Sequence, residues 1–129
     1  MTGQQIYEIA SSFLYERDNE DLDSKEFALG FLNILLQEAL PYENSIRQWN
    51  GIDELLKAQY LTSLEDEIEY DDAIVRAALP YGLASWYFQE AMDNFQAENY
   101  RNKYISALHD VQKYNITSIV DIYGGNTDA

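Results

Sequence analysis

Cysteine is absent from this 129-residue chain, and with it go thiol nucleophiles, disulfide staples and cysteine-ligated zinc. There is one histidine, His109. It sits on a predicted helix beside Asp110 with no second histidine at i+4, so neither a metal pair nor an imidazole relay can be built around it. A lone helical histidine is ordinarily a surface or packing residue. Basic residues are scarce, eight against 23 acidic, for a formal net charge of −15. Nucleic-acid affinity comes mainly from Lys and Arg displacing counterions. The scattered Arg17, Lys25, Arg47, Lys57, Arg76, Arg101, Lys103 and Lys113 form no stripe to grip phosphate. Repulsion from DNA is expected within the ~8 Å screening length. No sequence-specific nucleic-acid binding and no membrane partner are therefore expected. No run of eighteen apolar residues occurs, and Met1-Thr2-Gly3-Gln4-Gln5 lacks the basic-then-apolar order of a secretory signal. Synthesis and retention in the cytoplasm are expected, which leaves the Asn115-Ile116-Thr117 sequon without a glycosylating context.

Catalytic signatures are also lacking. No serine has a G-x-S-x-G setting, and no glycine loop is spaced to cradle phosphate. Glu8, Glu38, Glu90 and Glu98 do not form the paired Glu-x-x-His motifs of a di-iron bundle. The run Glu16 to Asp23 has the acidity of a calcium loop but not its central glycine or its bidentate glutamate. The chain is expected not to be an enzyme and to need no cofactor or metal. Its eleven tyrosines and two tryptophans exclude the composition of a disordered acidic segment and suit either a half-buried core or protein contacts.

What is present is helical periodicity. Ile6, Ile9, Ala10, Phe13 and Leu14 fall on one stripe, predicting a helix over 3–15 capped by Thr2. Ser24 suits the cap of a second helix. Ala28, Phe31, Leu32, Leu35, Leu36, Ala39 and Leu40 then repeat the spacing, and Phe27 and Ile34 widen the face. Gly30 is read as permitting a close neighbour. Pro41 predicts a kink or restart before residues 42–49, and Asn50-Gly51 predicts a turn. Residues 52–61 fit a short helix through Ile52, Leu55, Leu56, Tyr60 and Leu61. Residues 64–70 fit an acidic loop pinned to the core by Ile68 and Tyr70. A helix over 71–93, bent at Pro80, or two abutting helices in its place, has apolar positions that include Tyr81, Ala84, Phe88, Met92 and Phe95, and another over 95–113 buries Ala97, Tyr100, Tyr104, Ala107, Leu108 and Val111. The short join at Asp93-Asn94 makes the two an antiparallel hairpin. The β-branched run 116–123 predicts a strand or extended arm. The expected fold is mainly α: a small bundle of about four helices with a C-terminal strand or arm. It would form one domain over 1–123, with a flexible tail from 124 to 129.

Within this pattern Asp66-Glu67-Ile68-Glu69-Tyr70-Asp71 leads into Pro80-Tyr81-Gly82-Leu83-Ala84, followed by Met92-Asp93-Asn94 and then Tyr100, Tyr104 and Ala107. In order and spacing this resembles the helical pair of phage and prophage head-tail adaptor (connector) proteins of the gp6-like kind, over roughly residues 64–123. The resemblance implies a structural subunit of a virion neck. Copies would form a ring between the portal protein and the next neck or tail component, and DNA would pass through it. The acidic clusters at 16–26 and 65–72 read first as solubilising surface. In such a ring they would keep phosphates off the wall. Trp49 and Trp86, as exposed aromatics, and Ile119, Val120, Ile122 and Tyr123, in the C-terminal segment, are the candidate partner contacts. Two other classes fit less well. One is an acidic DNA mimic or other protein-interaction module, of which the mimic needs carboxylates evenly spaced on one face rather than in two clumps, and the other is a metal enzyme, which needs a ligand cluster.

Overall fold

A computed structural model describes residues 1–14 and 25–127, with side chains given as far as Gln112. The described residues hold four α-helices: α1 (Gly3–Phe13), α2 (Glu26–Trp49), α3 (Leu79–Glu90) and α4 (Asn94–Thr127). The mainly helical bundle expected from periodicity is what forms.

Helix α1 begins as its sequence dictates. The Thr2 hydroxyl accepts from the Gln5 amide at 3.2 Å, and the Gln5 side chain accepts from the Thr2 amide at 2.9 Å, a reciprocal cap that satisfies two otherwise orphaned donors. Its buried stripe, Ile6, Tyr7 and Ala10, faces the core. Ser24 and the acidic run at 16–23 lie outside the described residues. Helix α2 is continuous through Pro41, where a kink or restart is expected. The ring is on the exposed side, clear of the core. Ala39, Glu43 and Ile46 remain buried on either side of it and hold the helix in one piece.

Pro80 is accommodated by a change of register. A π-helical turn, Ile74–Ala78, precedes α3, and the Leu79 amide reaches back five residues to the Ile74 carbonyl. The missing proline amide then falls at the start of a fresh α-helical register, where no partner is needed. The predicted bend is thus a π-to-α junction. Helix α3 ends in a Schellman motif: the Asp93 amide bonds the Phe88 carbonyl at 2.9 Å and Met92 bonds Gln89 at 3.0 Å. Met92 takes the left-handed conformation there, with φ 62°. Asp93 then caps α4, its carboxylate accepting from the Gln96 amide at 3.2 Å. The hairpin is therefore closed by residues at its own join.

Helix α2 runs antiparallel to α3 and alongside α4 in the same direction. Phe31 stacks on Trp86 at 5.3 Å, while Glu43 near the other end bonds the backbone of Asp71. Glu38, Tyr42 and Ser45 meet Arg101, His109 and Gln112 in order. Ile6, Leu32, Leu35, Leu36, Leu79, Leu83, Tyr104 and Leu108 fill the centre. The close approach falls at Gly82 rather than Gly30. A methyl at Gly82 would sit 2.7 Å from Leu35 and 3.0 Å from the Tyr104 ring, whereas nothing lies within 4 Å of one at Gly30.

Two of the expected elements do not form. Residues 52–61 are irregular chain with a bend at Leu56 and Lys57 rather than a helix: Leu61 is buried, but Leu56 is 99% exposed and Tyr60 75%, so the spacing that suggested an apolar face does not form one. The 116–123 run, expected as a strand or arm, continues α4, whose backbone runs to Thr127, past the point where a tail is expected. Adding residues to a helix already nucleated costs less than starting a strand with no partner, and β propensity depends on context. The acidic loop over 64–70 does pin Ile68 and Tyr70 into the core, at 3% and 4% exposure.

Candidate functional site

Large apolar side chains are displayed at the two ends of the bundle and, with Leu56 and Tyr60, on the segment that follows α2. At one end α2 finishes in Trp49, which is 48% exposed beside Ile52 at 54%. Arg47 fixes this end. Its guanidinium donates to Glu43 at 2.7 Å and also reaches the carbonyls of Asp53, at 3.3 Å, and Glu69, at 3.4 Å. The Glu43 carboxylate, only 3% exposed, accepts in turn from the Asp71 amide at 2.7 Å. A buried carboxylate needs such partners to remain charged. One ion pair therefore ties three chain segments under Trp49.

At the other end, where α3 turns into α4, Met92 is 86% exposed and Phe95 79%. Both were expected on the apolar face of a helix. They project instead because the Schellman turn carries the chain around the tip between them. The acidic break at Asp93-Asn94 was the available signal, since side chains flanking a hairpin join cannot all face inward. Phe27, 47% exposed on the first turn of α2, belongs to the same end. Along α2 the two ends lie roughly 30 Å apart at 1.5 Å per residue.

Trp86 is not the exposed aromatic it was expected to be. It stacks on Phe31 with 12° between the rings, and its indole Nε1 has neither accessible surface nor a hydrogen-bond partner. The apolar partner drew it inward, where periodicity alone had suggested display. The backbone at Ile119, Val120, Ile122 and Tyr123 lies within α4, and their side chains lie outside the described residues.

Hollows between the helices offer little chemistry. One of about 470 Å³ is lined by Glu38, Ser85, Trp86, Gln89, Glu98 and Arg101 among others. Its strongest charges are spent on each other: Arg101 grips Glu38 in a two-pronged pair at 2.9 and 2.8 Å, and that bond raises the guanidinium's pKa further. A second, of about 500 Å³, is walled by Ala73, Ala77, Tyr81, Ala107 and Val111 between Asp71 and Asp110. His109 is exposed, with its ring 5.8 Å from that of Tyr42. Among the described residues no three His, Cys, Asp or Glu side chains converge to hold a metal ion, and no described helix is long and apolar enough to cross a membrane.

The carboxylates at 65–72 are partly structural. Asp66 accepts from the amides of Thr62 and Ser63 at 2.9 and 3.1 Å, which lowers its pKa, and Asp71 accepts from Ala73 at 3.0 Å. Glu65, Glu67, Glu69 and Asp72 are exposed. No protein-family model, curated protein or solved structure matches the chain, so the connector resemblance rests on its own residues.

Proposed function

We propose that this chain is a non-catalytic assembly subunit, and specifically a head-tail connector subunit of a phage or prophage. Copies of it would form a ring between the portal protein and the next neck or tail component. The observation that carries this reading is the pair of unlike apolar ends: Trp49 and Ile52 at one, Met92 and Phe95 at the other. Large apolar side chains grouped on a surface mark contact sites. A surface that meets a different surface on the next copy makes a heterologous contact, and such contacts close into a ring when the rotation per subunit is right. The order of motifs over 64–123 supports the connector assignment within that class. The net charge of −15 suits a channel through which a duplex slides without sticking.

Placing a charge at each end tests the reading. Phe95→Asp and Trp49→Asp alter exposed side chains, so each variant is expected to fold as the parent does by circular dichroism. Each is also expected to lose higher-order assembly with the portal in sedimentation experiments. Assembly that survives both substitutions would remove the two ends from the account.

A further inference from the structure

The stretch that follows α2 is held by side chains instead of by a sheet. From Leu55, beside Asn44, to Leu61, beside Asn33, it runs back along α2 with a bend at Leu56 and Lys57, and its six steps cover about 16 Å of helix, close to the reach of an extended chain. Asn44 donates its amide to the Leu55 carbonyl at 3.0 Å and accepts from the Leu55 amide at 2.8 Å. Asn33, three helical turns earlier on the same face, does the same for Leu61 at 3.0 and 2.7 Å. Each side-chain amide supplies the donor and acceptor that a neighbouring strand residue would supply. Gln59 repeats the arrangement on its neighbour, bonding the Glu67 carbonyl at 2.7 Å and the Glu69 amide at 2.8 Å. On the other side of that stretch the Ile68 amide bonds the Met1 carbonyl at 2.9 Å.

Between these clamps, the backbone groups of Leu56, Lys57, Ala58 and Tyr60 make no hydrogen bond among the described residues. The same segment displays Leu56 and Tyr60 almost wholly to solvent. An extended backbone already held in place has lost most of the entropy that binding would otherwise cost. Its free amides and carbonyls suit a second extended chain, because a helix has already used its own. Charge narrows the partner further. Asp53, Glu54 and Glu69 are exposed around the segment, Glu67 beside them is paired with the N-terminal ammonium, Arg47 nearby is spent on Glu43, and Lys57 is the one cation within 54–60. A second copy would bring more carboxylates to this strip, while a basic segment would find complementary charge.

We propose that residues 54–60 dock an extended, basic peptide segment of a partner protein by strand addition, with Leu56 and Tyr60 receiving its apolar side chains. This holds whether or not the chain is a connector subunit. A display library of random peptides, selected on the full chain and counter-selected on the Leu56→Ser/Tyr60→Ser double variant, tests it. Enriched sequences are expected to alternate Lys or Arg with β-branched or aromatic residues. The synthesised winner should bind the parent chain about tenfold tighter than the double variant, and should protect the amides at 56–60 from hydrogen exchange. A version of equal charge with prolines at alternate positions should lose that binding. Four results would overturn the proposal: enrichment of helix-forming or acidic peptides, no enrichment over the double variant, equal binding by the proline version, or protection of 56–60 in the chain alone as its concentration rises. The last would assign the strip to a second copy.

Discussion

Two glycines of the same chain have opposite consequences. Gly82 lets α3 approach Leu35 and Tyr104, both fully buried, so Gly82→Ala overpacks the centre of the bundle. A loss of roughly 1–3 kcal/mol is expected, less the fraction returned by the better helix former. Gly30 has open space around it, and Gly30→Ala should stabilise by about 0.5–1 kcal/mol. Urea denaturation of the two variants reads both signs at once. The buried phenols make a second prediction. Burial raises the Tyr70 pKa from 10.0 to about 12 and drives that of Tyr104 higher still. Both groups bind their protons more tightly when folded than when unfolded. Their contribution is therefore fully present below pH 10 and is lost as pH climbs toward the folded values. Stability should fall steeply above about pH 10, and Tyr70→Phe, which also gives up the 2.7 Å bond to the Leu36 carbonyl, should soften the slope. A pH-independent denaturation midpoint across that range would contradict the assignment.

Among elements, the hairpin of α3 and α4 was legible because its signals are local: apolar positions at helical spacing, an acidic join and a proline near the start. The Thr2 cap was legible for the same reason. The 52–61 segment was not, because what holds it extended is Asn33 and Asn44, many residues away in sequence, and nothing in its own spacing records them. Its Leu and Tyr positions mimic a helix face while two of them point into solvent. The candidate site was read in part. Trp49 is displayed as expected and Trp86 is not. Met92 and Phe95 were placed on a helix face because periodicity cannot see where a chain turns back. Met92 now stands out on other grounds. It occupies a left-handed position that glycine fills at less cost. Met92→Gly is expected to raise stability by about 1 kcal/mol while weakening assembly, the pattern of a residue retained for contact. A variant both more stable and fully competent in assembly would show that the side chain serves no partner.

At the scale of the molecule, α2, α3 and the first half of α4 pack side by side, tied midway by Arg101 and Glu38, with unlike apolar side chains displayed toward the two ends of α2. In the hollows along its side Arg101 and Glu38 are spent on each other and Asp71 on the Ala73 amide, and much of the remaining wall is alanine. Its most distinctive surfaces are those suited to meeting another protein. Electron microscopy of the purified chain, alone and mixed with a phage portal protein, measures this most directly. Closed rings with a central channel, seated on the portal, are the predicted result. Particles of a single subunit at every concentration, with the portal left bare, would contradict it.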